Sequence, residues 1–320
     1  MSLNDKNMDI SIIIVNYNTS VLLEKCLDSI ISLISDIEYE IIVVDNNSQD
    51  REIKNLATKY TDVNFYFRDL NNGFGAGCNY GFSKSRGKYI FLLNPDTCLV
   101  DNMAIDFYNY LENNPDTGVC SALLEDWEGN LQYCFNDFPN IKWELLELTG
   151  FLSDRKITKM LNHVLQKSNY TDCLKIDWAI GACLFIRREL YEKLGGFDEN
   201  YFLYYEDTDL QKRINNVGYN IVLFIQKRIK HIGKSSIDDS AMGDKIYFLN
   251  MHISKLKYFY KYSGLCKVFF VRTINITAYL LRFFEVLIRF QSFESKKIRL
   301  RILRGIIKIY FSKKSTVLAK

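Results

Sequence analysis

The sequence predicts an α/β protein with a mostly parallel, Rossmann-like central sheet flanked by helices, and three observations lead there. Short β-branched runs alternate with helix-periodic segments through the N-terminal third of the chain. Those runs are apolar throughout instead of alternating, as in strands buried on both faces. Three of them are closed by Asn or Asp, and in open α/β sheets ligands bind beyond the carboxyl ends of the strands. Hydrophobic content of 48% against 25% charged residues argues against a disordered chain, and 320 residues can bury a large core.

The elements follow in order. ISIIIVN, Ile10–Asn16, reads as a buried strand. The polar YNTS leads into a helix with Leu23, Cys26, Leu27, Ile30, Ile31 and Ile34 at helical spacing, for which Ser20 is the expected cap. Glu40–Val44 is a second strand, closed by DNNSQD, and a weaker helix over Arg51–Lys59 leads to a third, VNFYFR. After the glycine-rich NNGFGAGCNYGFSKSRG comes KYIFLLNPD. The polar strand ends Asn16–Asn18, Asp45–Asp50 and Asn94–Asp96 are expected to converge on one crevice. Residues 102–169 say less: helix plus turn in IDFYNYLENNPDTG, a hairpin over Trp127–Tyr133 tipped by Glu128-Gly129-Asn130, and either a mobile loop or an acceptor-facing insert over Phe135–Ser168.

Several of these residues admit a chemical and a structural reading. Asp45 either accepts the ring N–H of a pyrimidine or forms an Asx turn before a helix. Asn71–Asn79 is either a loop passing close to a phosphate or sugar, or a tight strand–helix junction. It fits neither GxxxxGK[ST] nor the placing of a dinucleotide fingerprint. In IDWAIGACLFIRR, read as one strand, Gly181 and Ala182 mark a close approach, and Trp178 stacks on a sugar or fills the core. Asp198, Glu199, Glu206, Asp207 and Asp209 gather around aromatics at a helix start near Glu206. They either cap that helix or hold a desolvated carboxylate with a raised pKa, suited to general base work. His231, after the apolar run Ile221–Ile225, either joins Asp96 on a metal or hydrogen-bonds within a loop. His163 reads as a surface or half-buried histidine and His252 as a packing residue.

Together SIIIVNYN, VVDNNSQD, NNGFGAGCN, LLNPD, DWAIGACLFIRR, GGFDENYFLYYEDTDLQKR and HIGKSS resemble the family 2 glycosyltransferases of GT-A fold, over about Asp9 to Ser236. Within them the likeness is to bacterial rhamnosyltransferases of polysaccharide assembly. The resemblance implies a nucleotide-sugar donor, a divalent cation (Mg²⁺ or Mn²⁺) and inversion by direct displacement. It implies dTDP-β-L-rhamnose as first choice of donor, with UDP-hexoses, UDP-GlcNAc or a furanosyl donor as alternatives, and a lipid-linked saccharide as acceptor. By the same resemblance Asp45 contacts the base, with Asn18 and Asp50 nearby. Asp96 is the last acid of the metal motif, with Asn94 where its first acid usually stands. Asp207 is the general base with Glu206 beside it, and Arg213 pairs with an acid or a phosphate. His231 approaches the diphosphate or metal, and Asn72, Gly73, Gly75 and Asn79 line the diphosphate and sugar. A non-catalytic nucleotide-sugar-binding assembly protein of the same fold is the competing class.

Charge divides the chain. Residues 255–320 carry 16 basic and 2 acidic side chains, a net +14, whereas residues 1–254 carry 25 against 36, a net −11. The domain boundary is therefore expected at 254, with a catalytic part before it and a basic amphipathic helical region after it. Phe269, Thr273, Ile276, Leu280, Phe283, Leu287 and Phe290 form one expected apolar stripe. In a second stretch Lys297, Arg301, Arg304 and Lys308 stand against Ile302, Leu303, Ile306 and Ile309. Arg272, Arg282 and Arg289 interrupt any spanning segment, so these helices are expected to lie on an anionic membrane surface or to pair two subunits. Without a recognition motif, nucleic acid is the poorer partner. Eight cysteines without a C-x-x-C pair, and no basic-then-apolar N-terminus, lead to the expectation of a cytoplasmic protein at the inner face of the membrane.

Overall fold

A computed structural model describes residues 8–148, 154–167, 172–233, 241–288 and 293–312. The chain divides into two compact units. One comprises residues 1–138, 158–199 and 206–236; the other comprises 139–157, 200–205 and 237–320. The basic helices lie in the 237–320 segment of the second unit, and their first helix starts at Ala241.

The first unit is built on strands β1 (Ile10–Asn16), β2 (Tyr39–Asp45), β3 (Val63–Phe67), β4 (Tyr89–Leu93), β5 (Thr97–Leu99), β6 (Thr117–Glu125), β8 (Cys173–Ile176), β10 (Cys183–Arg187) and β11 (Asn220–His231). They form one nine-stranded sheet in the order β3-β2-β1-β4-β10-β6-β11-β5, with β8 on β11; β7 (Phe135–Asn136) and β9 (Trp178–Ala179) form a separate ribbon. Strands β3, β2, β1 and β4 are mutually parallel and β10 runs against β4 and β6, which gives the mostly parallel GT-A arrangement. β1 is buried at every position, as its unbroken apolar run requires. Ile10, Ile12 and Ile14 pack with Leu23, Cys26, Leu27 and Ile30 of α1 (Ser20–Leu33) on one face. Ile13 and Val15 pack on the other with Cys78 of α3 (Phe74–Lys84) and with Leu210 and Ile214 of α8 (Glu206–Asn216).

Four expectations need correction. Thr19, not Ser20, is the N-cap of α1; its hydroxyl donates to Asn16 Oδ1, and Ser20 is the first helical residue. The glycine-rich run is mostly helix, because α3 begins at Phe74 and only Gly73 takes a left-handed conformation, φ 96°. IDWAIGACLFIRR is not one strand: Gly181 and Ala182 lie in the turn between β9 and β10. The central strand β6 was not anticipated, since its Cys, Ser and Ala have little β-signature; all nine residues are nonetheless buried.

In the second unit, α5 (Ile141–Leu148) packs on α9 (Ala241–Ile288), and so does α10 (Phe293–Phe311). Thus helices occupy much of Phe135–Ser168, where a loop or insert was expected. Helix α9 is broken at Gly264, whose φ of 73° and ψ of 176° no helix admits. The predicted stripe is displaced: the buried seam runs through Val268, Val271, Asn275 and Val286, while Phe269, Thr273, Leu280 and Leu287 are exposed. Phe290 lies outside the described residues. His252 is a packing residue, with Nδ1 at 2.7 Å from the Tyr310 hydroxyl and Nε2 at 2.9 Å from that of Tyr279.

Candidate active site

At the carboxyl ends of the parallel strands, Asn16 and Asp45 face each other in register. Asp45 is buried, and its Oδ1 accepts Asn16 Nδ2–H (2.8 Å) and the Ser48 hydroxyl (2.6 Å), while Oδ2 accepts the Ser48 N–H (2.9 Å). The Asx-type turn and the carboxylate at the sheet edge are therefore one structure. Asn18, left-handed at φ 57°, receives the backbone N–H of Gln49 (2.7 Å) and of Asp50 (3.4 Å) on Oδ1, stitching the two loops together. Asp50 itself accepts the Glu52 N–H at the start of α2 (Glu52–Lys59). Behind this lip Asn46 donates to the Gly73 carbonyl (3.0 Å) and accepts Arg68 Nη1–H (3.1 Å).

The glycines of α3 are required by packing. A Cβ on Gly75 would lie 2.9 Å from Phe197 Cβ, and one on Gly77 would lie 2.7 Å from Val15 Cγ1. Asn72 is exposed beside them. Asn79 spends its amide on protein partners: Nδ2 donates to the Phe197 carbonyl and Glu199 Oε1, and Oδ1 accepts the Phe197 N–H and the Tyr191 hydroxyl. Arg213 is likewise occupied, by Asp209 (2.8 Å) and the carbonyls of Leu194 and Gly196. Trp178 is half-buried in the small ribbon and donates to the Asp137 carbonyl (3.0 Å).

β4 ends in a tight turn. Asn94 donates its N–H to the Ala182 carbonyl (3.1 Å), and its own carbonyl accepts the Thr97 N–H (3.2 Å) and hydroxyl (2.7 Å). The turn swings Asp96 inward, where Oδ2 accepts the Gly233 N–H at 3.0 Å. β11 has a register shift against β6 between Phe224 and Arg228. Before it the strand pairs with β8; after it, with β5, which sets His231 opposite Thr97. His231 Nε2 then lies 3.6 Å from Asp96 Oδ1, too far for a hydrogen bond. Gln132 fixes the ring: its Nε2 donates to the His231 carbonyl (2.7 Å), so its Oε1, 2.8 Å from Nδ1, must receive a proton from that nitrogen. The Nε2 lone pair is left facing the carboxylate, and burial lowers the imidazole pKa, against the opposing effect of Asp96.

An oxygen and a neutral imidazole nitrogen held side by side, with no proton between them, fit a borderline divalent cation such as Mn²⁺. Among the described residues no group of three or more His, Cys, Asp or Glu side chains could hold a metal, so protein donors alone would leave the shell incomplete. Lys234–Ser236 of the HIGKSS motif lie outside the described residues.

Glu206 and Asp207 open α8 with different environments. Asp207 Oδ2 accepts the Gly181 N–H at 2.9 Å and Oδ1 the Thr208 N–H at 2.7 Å. A Cβ on Gly181 would be 3.3 Å from Asp207 Cβ, so the close approach expected at Gly181 is to this carboxylate. Burial raises the Asp207 pKa, and those two N–H donors pull it back. Glu206 is 5% exposed and its Oε2 has no hydrogen-bond partner among the described residues. Burial, and next the charge of Asp207, push its pKa well up. Both carboxyls are pushed up, Glu206 the more strongly, so Glu206 holds its proton more tightly than Asp207.

The geometry links Asp45 to Asn16, Asn94 to Ala182, Gly181 to Asp207, and Asp96 to His231 along one sheet edge. Arg68 and Gln132 escaped the sequence reading, whereas Asn16 was expected at the crevice as a polar strand end; Gln132 reaches His231 from 99 positions away.

The profile of Glycosyl transferase family 2 matches residues 11–195, and the chain belongs to that family. A relative in Myxococcus xanthus, O-antigen biosynthesis protein RfbC, is 25% identical over 75% of this chain, which spans only 18% of that protein's length. Rhamnosyltransferase WbbL of Escherichia coli (strain K12) is 25% identical over 66% of this chain and 78% of its own. Among solved structures, mannosyltransferase PcManGT of Pyrobaculum calidifontis, in complex with GDP-Man and Mn²⁺, superposes with a TM-score of 0.55 over 97% of this chain and 89% of that one, at 15% identity. That likeness is one of fold.

Proposed function

We propose that the protein is an inverting glycosyltransferase that moves L-rhamnose from dTDP-β-L-rhamnose to a hydroxyl of a lipid-linked saccharide in cell-surface polysaccharide synthesis. The observation that carries the reaction class is the placing of a hydrogen-bonded Asp45, an Asp96–His231 pair and an ionisable Asp207 on one edge of one sheet. The rhamnosyl assignment rests on the motif resemblance and on the likeness to a rhamnosyltransferase.

In this reading Asp45 accepts the imide N–H of the thymine, with Asn16 and Ser48 holding the carboxylate in place. Asn18 and Asp50 lie beside the nucleoside. Asn72, Gly73 and Gly75 are the near wall of the diphosphate, with Asn94 opposite. Asp96 and His231 would hold Mg²⁺ or Mn²⁺, which when bound offsets charge on the leaving diphosphate. Asp207 takes the proton of the acceptor hydroxyl as that oxygen attacks C1 from the face opposite the diphosphate. Glu206, which burial drives toward its protonated form, limits the negative charge beside the base. Asn79 and Arg213 support the site by bracing residues 194–197, and Trp178 is a stacking surface for the sugar. The work is expected at the cytoplasmic face of the cell membrane, where a lipid-linked acceptor is within reach.

A panel of nucleotide sugars, scored by thermal stabilisation and by transfer with and without Mn²⁺ or Mg²⁺, tests this reading. dTDP-rhamnose should give the largest shift and the only turnover. Tighter binding of a UDP-sugar would replace the donor, and binding without transfer to any acceptor would replace the enzyme by a binding protein.

A further inference from the structure

Helix α9 beyond Gly264 has two apolar faces, and only one is covered within its unit. Val268, Val271, Asn275 and Val286 face inward, with Val268 and Val271 in one core with Ile306 and Tyr310 of α10. On the opposite side of the same turns Leu265, Phe269, Phe270, Leu281, Phe284 and Ile288 are exposed, four of them by more than 60%. No charged residue falls in that set. Scattered exposed leucines are ordinary, but a stripe six helical turns long with three phenylalanines is not.

The surrounding charge says what covers it. Lys267 and Arg282 on α9, and Lys297, Arg299, Arg301, Arg304 and Lys308 on α10, are all exposed. Over residues 255–320 just two acids oppose sixteen bases. A second copy meeting this face about a two-fold axis would bring two such basic regions together, at an electrostatic cost. An anionic bilayer accepts both features at once, the phenylalanines among the acyl chains and the cations among the headgroups. Helix α9 is long and apolar enough to cross a membrane by length and composition. Its inner face, however, carries a polar network: Asn275 Nδ2 donates to Glu144 Oε2 (2.8 Å), which also pairs with Lys255 (3.1 Å), both ends of that pair being 5% exposed. That face stays with α5 and α10, so the helix lies along the surface and does not span it.

We infer that the outer face of α9 from Leu265 to Ile288 is a docking surface for an anionic lipid bilayer, to which the excess of bases over residues 255–320 adds long-range attraction. The inference is independent of which sugar is transferred. The test is flotation of the full-length protein with phosphatidylcholine vesicles, with and without phosphatidylglycerol. Wild type should float only with the anionic lipid. A Phe269→Ser/Phe270→Ser/Phe284→Ser variant should lose on the order of tenfold in partitioning per phenylalanine. An Arg299→Gln/Arg301→Gln/Lys308→Gln variant should lose about fivefold per cation and show a weaker dependence on salt. Because every altered side chain is exposed, thermal shift with the nucleotide-sugar donor should match wild type. Flotation of the triple-Phe variant equal to wild type overturns the proposal, as does failure of wild type to float. So does a wild-type dimer that the Phe substitutions convert to monomer, since a second copy then covers the face.

Discussion

Two glutamates, each 5% exposed, stand in the two units: Glu206 in the α/β unit and Glu144 in the helical one. Glu144 Oε2 receives both Lys255 and Asn275. Glu206 Oε2 receives nothing among the described residues and lies beside a second carboxylate. Burial is the same and satisfaction is opposite. A buried acid with its partners supplied holds helices in register, whereas burial drives one without them toward its protonated form, here where substrate chemistry is expected. The same contrast separates the histidines. Both nitrogens of His252 are bonded to tyrosine hydroxyls, while His231 keeps one lone pair directed at Asp96.

The comparison predicts that damage to the two units differs in kind. Asp207→Asn should lower turnover by about 100- to 10,000-fold with the fold and donor binding intact, as measured by single-turnover transfer and thermal shift. Wild-type rates in this variant would remove Asp207 from the chemistry. Glu144→Leu, in the other unit, should cost about 3–5 kcal/mol, because Lys255 stays buried without its carboxylate. Urea unfolding followed by circular dichroism reads that loss; a change below 1 kcal/mol would show the network to be dispensable.

Asp96→Ala should abolish the difference in donor affinity between Mn²⁺ and chelator, by calorimetry, while leaving metal-free binding close to wild type. Equal metal dependence in wild type and variant would refute the Asp96–His231 assignment. The smallest effects concern pH. Asp207 must lose its proton to act as base and burial raises its pKa, so kcat/KM should climb with pH above the ordinary carboxylate range. Glu206 binds its proton more tightly folded than unfolded, so its contribution is intact below its unfolded pKa and is lost as pH rises toward the folded one. Relative to wild type, Glu206→Gln should therefore gain stability with rising pH in that window, by at most about 1.4 kcal/mol per unit. A difference independent of pH would mean that Glu206 is ionised in the folded protein.

Much of the α/β unit was legible because local signals agreed with global ones. The apolar runs at Ile10–Asn16 and Tyr89–Leu93 are strands since nothing else buries both faces of such a segment. Asp45 and Asp96 were legible as the polar residues that follow the apolar runs at Glu40–Val44 and Tyr89–Leu93. The glycines of α3 were legible as a place of close approach but not as a helix, because only their neighbours, Phe197 and Val15, decide what they must avoid. In the helical unit the period of α9 was legible and its phase was not. Both of its faces are apolar, so the seam at Val268 and Val271 could not be distinguished from the stripe at Phe269.

By itself the sequence determined the α/β class, the strand ends that carry acids, and the separation of an acidic part from a basic one. Those are properties of composition and of spacings within single elements. Tertiary structure alone decided that Gln132 sets the tautomer of His231, that Gly181 donates to Asp207, and that among the described residues Glu206 Oε2 lacks a partner while Glu144 Oε2 has two. Each depends on a contact between residues far apart in the chain, and desolvation and hydrogen bonding act on whatever the fold brings within about 3 Å.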